Sequence, residues 1–244
     1  MLISLRELGF QIGFHSHAEA ILKVDFPAAL DELEAALRKV EIPIEDIIGS
    51  GGGESKHTQS LRRAFDAVGW KKHEFKIEKL VDGKKRESIS HEIDHVRTFG
   101  DQKVAMEIEW NNKDPFFDRD LENFKRLHAE GAISIGVIVT RGETLQDRLR
   151  DLIMRFAKDN DIKSFAELVS FGVNPTRRQR KEVEKRITAS RSFAEAWASH
   201  FCSDKFGAAT THWKKLQDRV QRGVGNPCPL LLIGLPDTVV KFKS

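Results

Sequence analysis

Residues 103–111 have the sequence KVAMEIEWN, in which apolar and polar side chains largely alternate. Successive side chains of a β-strand point to opposite faces of the sheet. One face of the predicted strand is apolar and contains Val104, Met106, Ile108 and Trp110. The opposite face contains Ala105, Glu107, Glu109 and Asn111. The stretch therefore predicts a strand that holds two carboxylates side by side.

A helix and a second strand are predicted directly after this strand. Asp114-Pro115 is a typical helix start and Gly131 a typical stop. The apolar residues between them recur at helical spacing and are Phe117, Leu121, Phe124 and Leu127. Residues Ala132–Thr140 are nearly all apolar, as in a strand buried on both faces. Strand, helix and buried strand in this order predict a βαβ unit.

Helices and strands are predicted on both sides of this unit, and residues 10–24 are predicted to be irregular or strand-like. The predicted helices are Asp25–Val40 with Asp25 as its N-cap, Glu54–Gly69, one beginning at Thr144, one beginning at Ser164 and a long one from Pro175 toward His200. The predicted strands are Lys72–Leu80 and Ser88–Arg97, joined by a tight turn, and Pro229–Leu235. No repeat or linker divides the sequence, so we expect one α/β domain.

The composition excludes several classes of protein. The sequence has two cysteines, Cys202 and Cys228, which excludes a disulfide framework and favours a reducing, cytoplasmic setting. It has no tyrosine, which excludes a tyrosine nucleophile. No apolar run is long enough for a transmembrane helix, and the first residues lack the basic-then-apolar layout of an export signal. We therefore expect neither membrane insertion nor export.

Positive charge is concentrated in the second half of a chain whose net charge is +3. The concentrated residues are Arg177, Arg178, Arg180, Lys181, Lys185, Arg186 and Arg191. Such a cluster neutralises DNA phosphates and releases their counterions. Glu182, Glu184 and Glu195 are interleaved with it, so a solvated helix face is an equal alternative.

Three carboxylates are predicted to meet on neighbouring strands. Asp94 on the preceding strand approaches Glu107 and Glu109 at an interstrand spacing of about 5 Å. Carboxylates at this density repel unless a cation lies between them, and hard oxygen ligands suit Mg²⁺ or Mn²⁺. Asp94 and Glu107 are the expected metal ligands, helped by the Ile108 carbonyl. Such a metal would polarise a phosphate, and Glu109 would orient or deprotonate the water that attacks it. The alternative is that Glu-x-Glu decorates the solvated face of an amphipathic strand.

The pattern Asp-x(12)-Glu-x-Glu on a predicted hairpin, followed by a helix and a buried strand, resembles the PD-(D/E)xK nuclease fold. More narrowly, Ile93-Asp94, residues 106–109 (MEIE) and residues 231–234 (LLIG) resemble the BamHI/BglII group of type II restriction endonucleases. Residues 109–121 and 210–213 (TTHW) strengthen the resemblance, which spans about residues 50–235. It implies a central mixed β-sheet flanked by α-helices. It also implies one domain, residues 1–244, with a catalytic core at about 50–142 and a helical, DNA-contacting part at about 143–244.

Two residues depart from the pattern of that family. Glu109 stands where a lysine is usual, as in the BamHI-like branch, and Ile93 stands where a proline commonly precedes the aspartate. A lysine stabilises hydroxide by its charge, whereas Glu109 can only accept a proton or a hydrogen bond, so the general base stays unassigned. Lys113 lies too far along the chain to replace the lysine.

The resemblance also implies one more acidic catalytic group on a helix before the core. Glu54, which follows three glycines, is the candidate. The alternative is that Glu54 is a favourable first-turn charge at a helix N-terminus.

Several polar residues after the core strands are candidates for DNA contact. Asn111 and Asn112 follow the acidic strand, and an Asn amide pairs bidentately with adenine, although Asn is also common in turns. Arg141 leaves the next strand at its C-terminal end, where α/β folds often place ligands. A polar, basic loop contains the other candidates, which are Lys205, Thr210, Thr211 and His212. The alternative for that loop is a helix-capping segment before Trp213.

The resemblance implies a type II restriction endonuclease that cleaves double-stranded DNA at a short palindrome with Mg²⁺, for which Mn²⁺ can substitute. A homodimer is expected because two identical subunits match two identical half-sites. A cognate DNA methyltransferase and a bacterial or archaeal cytoplasm complete the expected setting. The alternatives are a repair or structure-selective nuclease of the same fold and a catalytically silent DNA-binding protein.

Overall fold

A six-stranded mixed sheet forms the centre of the computed structural model, which describes residues 1–49 and 56–243. The strands in the described residues are β1 (Gln11–His15), β2 (Ile42–Pro43), β3 (Lys71–Val81), β4 (Lys84–Phe99), β5 (Gln102–Glu109), β6 (Ile135–Arg141), β7 (Leu230–Leu235) and β8 (Val240–Lys241). The order in the main sheet is β1-β7-β6-β5-β4-β3, and β2 pairs with β8 separately. β5, β6 and β7 are parallel, and the other pairs of the main sheet are antiparallel.

Helices cover both faces of this sheet. Those in the described residues are α1 (Ile3–Glu7), α2 (Ala18–Val24), α3 (Pro27–Leu37), α4 (Ile44–Ile48), α5 (Lys56–Ala67), α6 (Pro115–Ala129), α7 (Glu143–Asp159), α8 (Phe165–Ser170), α9 (Arg177–Glu184), α10 (Phe193–Lys205) and α11 (Trp213–Gln221). A short 3₁₀ turn, Asp237–Val239, precedes β8. None of the helices in these two described ranges is long and apolar enough to cross a membrane.

Two apolar clusters pack on the two sides of the sheet because the strands alternate. On one side α6 and α11 contribute apolar residues that pack on alternate residues of the strands, namely Phe117, Leu121, Phe124 and Leu216 with Ala105, Ile138 and Leu232. On the other side α3, α5, α7 and α10 do the same, with Leu33, Phe65, Ile153 and Trp197 near Met106, Val137 and Ile233. The sheet is therefore the middle of three layers.

The predicted βαβ unit and the predicted central mixed sheet are both confirmed. β5 pairs in parallel with β6, and α6 connects them. The predicted hairpin forms from β3 and β4, although both strands are longer than the sequence pattern indicates. The residues 10–24 form β1 and α2, so this stretch is more regular than expected.

Two details of the predicted helices are wrong. The long helix from Pro175 toward His200 is two helices, α9 and α10, because Ser192 and Glu195 form a reciprocal capping box that starts α10. The helix predicted from Asp25 begins at Pro27 with Phe26 as N-cap, and Asp25 instead ends α2.

Candidate active site

β5 turns its two glutamates toward α6. Val104 and Met106 belong to the cluster on the other side, whereas Ala105 packs with the residues of α6. Glu107 and Glu109 follow Ala105 in the alternation and are 6% and 4% exposed. The predicted alternation along the strand is confirmed, and it holds the two carboxylates within the buried layer between β5 and α6.

Asp94, on the neighbouring strand β4, lies beside Glu107. The β4–β5 register pairs His95 with Met106, so the next step along both strands sets Asp94 opposite Glu107. Asp94 is exposed and its charge acts on Glu107, whose pKa it helps to raise. The structure thus brings together the first two residues of the predicted acidic site.

A β-bulge sets the direction of the Asp94 side chain. The β3–β4 register shifts within residues 71–73, so Asp94 and His95 both lie opposite Lys72. The His95 ring is buried against Phe65 of α5, with ring centroids 5.9 Å apart, on the side away from α6. Bulges commonly re-aim a side chain next to a functional site, and this one leaves Asp94 on the α6 side with Glu107.

Asp120 of α6 is a fourth carboxylate at this site, and the sequence analysis missed it. Its residue is fully buried, and its charge acts on both Glu107 and Glu109. The sequence did contain a signal for it. Asp120 stands on the apolar stripe of the predicted helix, three residues after Phe117, where an acidic residue is out of place unless it has a partner on the facing strand.

Burial and mutual repulsion shift the protonation of the two glutamates. Burial raises the pKa of Glu107 well above its ordinary value, and the charges of Asp120, Asp94 and Glu109 raise it further. Burial likewise raises the pKa of Glu109 to about 8, with a further contribution from Asp120. The site is thus a poor place for several negative charges unless a proton or a cation accompanies them.

Glu109 and Asp120 lie close together, and the charge of Asp120 helps to raise the pKa of Glu109. Burial raises the pKa of Asp120. The Asn112 side-chain amide donates to Glu109 Oε2 at 2.7 Å, which favours the ionised form of Glu109 and opposes the effect of burial.

Arg119 provides the positive charge beside these carboxylates. Its Nη2 lies 2.8 Å from Asp120 Oδ1 and 3.6 Å from Glu109 Oε1. The guanidinium stacks on the Phe116 ring, 4.5 Å from the centroid, and its side chain is 55% exposed. The guanidinium therefore contacts the buried carboxylates while much of the side chain remains exposed to solvent.

The chemistry of these residues fits a divalent cation. Among the residues that the structure describes, no three His, Cys, Asp or Glu side chains are arranged so that they could hold a metal ion as they stand. The donor set is nevertheless one of hard oxygen ligands, and Asp120 Oδ2 is buried without a hydrogen-bond partner within the described ranges. A cation would satisfy that atom and relieve the repulsion on Glu107.

The structure brings two of the predicted DNA-contacting segments together. The Thr211 backbone N–H donates to the Asn112 carbonyl at 2.8 Å, and the Asp114 N–H donates to the carbonyl of Ala209 at 2.9 Å. Asn111 and Asn112 are exposed, and Thr210 is partly exposed. Lys205, at the end of α10, is partly exposed as well. The segment after β5 and the loop before α11 therefore form one surface next to Glu109.

Arg141 has a different environment from the one that the sequence suggested. Its residue is fully buried, and its Nη2 donates to Thr210 Oγ1 at 2.7 Å and to the Thr211 carbonyl at 2.6 Å. The guanidinium lies 4.8 Å from the centroid of the Phe206 ring, and burial lowers its pKa. In this conformation Arg141 holds the loop before α11 from inside. Thr211 and His212 are buried in the same loop.

Glu54, the remaining predicted catalytic residue, lies outside the described residues.

The mixed sheet lies between two layers of helices, and its strand β5 carries buried carboxylates beside the antiparallel hairpin β3–β4. This arrangement is consistent with a restriction-endonuclease-like fold. The family model described as restriction endonuclease BglII/BglIII matches residues 10–235. The match covers most of the chain, and the chain therefore belongs to this family of restriction endonucleases. A comparison with curated proteins gives no match.

The family match confirms the resemblance that the sequence motifs indicated. It identifies the protein as a site-specific deoxyribonuclease, a hydrolase whose substrate is double-stranded DNA. Restriction endonucleases of this family generally use a divalent metal ion.

Proposed function

We propose that this protein is a type II restriction endonuclease that uses Mg²⁺ to hydrolyse both strands of DNA at a short palindromic sequence. The observation that carries the proposal is the pair of buried glutamates, Glu107 and Glu109, that β5 presents beside Asp94. Carboxylates that lie this close together repel one another, and a shared cation would stabilise their ionised forms. The family match makes DNA the substrate of that chemistry.

In this proposal Asp94, Glu107 and the Ile108 carbonyl hold Mg²⁺, for which Mn²⁺ can substitute. When bound, the ion polarises the scissile phosphate and makes water a better nucleophile. Glu109 orients the attacking water or accepts a proton from it, and the Asn112 amide fixes the Glu109 carboxyl in either case. Glu54 is proposed as a further acidic residue of the site, on the family resemblance alone.

The DNA surface is proposed to include the segment after β5 and the loop before α11. Asn111, Asn112, Thr210 and Lys205 are at least partly exposed there and can reach bases or phosphates. The buried Arg141, Thr211 and His212 are proposed to serve the same surface by holding the loop, and they would touch DNA only if that loop rearranged.

A homodimer and a cellular setting belong to the proposal. A two-fold dimer would offer each half of a palindrome an identical subunit. A cognate DNA methyltransferase would protect the sites of the host. A bacterial or archaeal cytoplasm is the compartment in which such an enzyme meets incoming DNA.

Digestion of a sequenced plasmid tests this proposal. With Mg²⁺ the protein should give discrete fragments with defined ends, and EDTA should stop the reaction. Smeared products or a preference for branched DNA would instead select a repair nuclease. An intact plasmid in both Mg²⁺ and Mn²⁺, with DNA still bound, would select a catalytically silent DNA-binding protein.

The variant Glu107→Ala tests the site itself. It should retain DNA binding in a gel-shift assay and lose cleavage by at least about a thousandfold, because it removes a proposed metal ligand and the DNA surface stays intact. Glu130→Ala, at the exposed end of α6, is the matched control and should cleave normally. Unchanged cutting by Glu107→Ala would move the metal site elsewhere.

A further inference from the structure

Asp120 is a buried carboxylate whose position has no role in the proposed reaction so far. It lies in the second turn of α6, and its side chain is 1% exposed. The first-turn acid of the same helix, Asp118, is 46% exposed and pairs with Arg219 Nε at 3.4 Å. Asp118 is thus a surface ion pair at a helix N-terminus, whereas Asp120 points into the layer between α6 and β5.

The hydrogen bonding of Asp120 is incomplete. Arg119 donates to Oδ1 from Nε at 2.9 Å, and its Nη2 forms an ion pair with the same oxygen at 2.8 Å. Oδ2 is fully buried and accepts no hydrogen bond from any residue that the structure describes. Buried carboxylate oxygens are normally satisfied, because leaving one without a donor or a cation costs several kilocalories per mole.

The Asp120 carboxyl is also directed at the predicted metal ligands. Its charge acts on Glu107 more strongly than the charges of Asp94 and Glu109 do. The charges of Asp120 and Asp94 also repel each other. Arg119 Nη2 lies 2.8 Å from Asp120 Oδ1 and 3.6 Å from Glu109 Oε1, which places the Asp120 carboxyl beside that of Glu109. Helix α6 therefore faces the two strands with a carboxylate at the point where their own carboxylates meet.

We propose that Asp120 is a ligand of the divalent cation in this site, together with Asp94 and Glu107, and that Arg119 holds its carboxylate while no cation is bound. This inference rests on the proposed metal-dependent function. The cation would take the free Oδ2 and relieve the repulsion between the helix and the strands. Arg119, which is half exposed, can then turn outward toward the DNA phosphates.

Direct titration with Mn²⁺ in the absence of DNA tests this role without reference to cleavage. The loss of the electron paramagnetic resonance signal of free Mn²⁺ measures binding to the full chain. Asp120→Asn keeps the size of the side chain and its hydrogen bond from Arg119, and it should raise the Kd for Mn²⁺ at least about tenfold. Asp118→Asn is the matched control and should bind Mn²⁺ as the parent protein does.

The same Mn²⁺ titration is carried out on Arg119→Gln and Glu107→Gln. Arg119→Gln should bind Mn²⁺ at least as tightly as the parent protein, because the competing guanidinium is gone, and it keeps the test open if Asp120→Asn does not fold. Weaker binding by Arg119→Gln would contradict the inference, and so would unchanged binding by a folded Asp120→Asn. If Glu107→Gln lowers the affinity and Asp120→Asn does not, only the role of Asp120 fails. If Glu107→Gln is also without effect, or the parent protein binds no Mn²⁺, the proposed metal site fails with it.

Discussion

The glutamate at residue 109 changes what the site needs from its surroundings. Where a lysine is usual in this fold, the chain itself would supply a positive charge beside the scissile phosphate. Here Arg119 is the cation beside Glu109 and Asp120, and its charge also acts on Glu107. Asp94 interacts instead with the charge of Lys72. Burial and the mutual repulsion of these carboxylates raise the pKa of both glutamates, so that each binds a proton more readily than an exposed glutamate does. A bound cation would compete with protons for them.

His212 should make the protein sensitive to acid. Burial lowers its pKa from 6.5 to about 4, and the neighbouring positive charge of Arg141 acts in the same direction. The unfolded state therefore binds more protons than the native state between these two values, so the free energy of unfolding falls as the pH drops from 6.5 toward 4. We expect His212→Gln to reduce this loss by up to about 3 kcal/mol, measured by urea unfolding at pH 7 and pH 4.5.

The exposed His17 gives the control for that measurement. His17→Gln replaces an exposed histidine by the same residue and is measured at the same two pH values. Burial also lowers the pKa of His95. The His212→Gln variant should therefore still lose some stability as the pH falls. If both variants lose stability with acid as steeply as the parent protein, His212 does not titrate on unfolding.

At the level of single residues, the sequence predicts what alternation and spacing control. Glu107 and Glu109 share a face because a strand has a period of two, and Asp94 follows from the register of the neighbouring strand. Asp120 stands out only when the helical period is applied to the charged residues of α6 as well as to the apolar ones. The burial of Arg141 was beyond sequence reasoning, since it depends on Phe206 and Thr211, some seventy residues away in the chain.

Among the elements, α6 is the one whose position the site depends on. It packs closely on β6, where Gly136 leaves room for Phe124: a Cβ at residue 136 would come within 2.4 Å of Phe124 Cδ2. Gly136→Ala should therefore push α6 away from the sheet and lower the free energy of unfolding by about 1–3 kcal/mol. The same shift moves Asp120 away from β5, so Mn²⁺ affinity should fall as well. Thermal unfolding and the Mn²⁺ titration measure the two effects.

Gly13 in β1 is the control, because replacing it also removes a glycine from a strand but creates no close contact. A Cβ at Gly13 in β1 would have its nearest neighbours at 3.6 Å, which is ordinary contact, so Gly13→Ala should be nearly neutral. Trimming the ring in the double variant Gly136→Ala/Phe124→Leu should restore part of the stability. Equal stability of the two alanine variants would show that α6 adapts without strain.

The elements that the sequence predicted well are those with strong local signals. The βαβ unit has an alternating strand, an amphipathic helix with clear ends and a continuous apolar strand, and each signal agrees with the others. The division between α9 and α10 was missed because the basic residues continue past residue 184 without an apolar pattern to mark the end of the helix. The capping box at Ser192 was present in the sequence and carried the correct boundary.

Across the whole molecule, distant parts of the chain are joined in one sheet. β7 comes from residues 230–235, yet it lies between β1 near the N-terminus and β6 in the middle of the chain. The predicted catalytic core at about 50–142 and the part from 143 onward therefore share the strands that both clusters pack on. Each part contributes apolar residues to both clusters.

This arrangement predicts that the chain unfolds in a single cooperative step. Trp213 packs on the α6 side of the sheet and Trp70, Trp110 and Trp197 on the other, so tryptophan fluorescence reports on both layers. In urea, the fluorescence transitions of the parent protein and of Trp213→Phe should each coincide with loss of the far-ultraviolet circular dichroism of the same protein. The measurement should cover several protein concentrations, because a dimer shifts the midpoint with concentration without dividing the transition. Two separate transitions would instead mean that residues 143–244 fold as a unit of their own, with β7 able to leave the sheet while β5 and β6 remain paired.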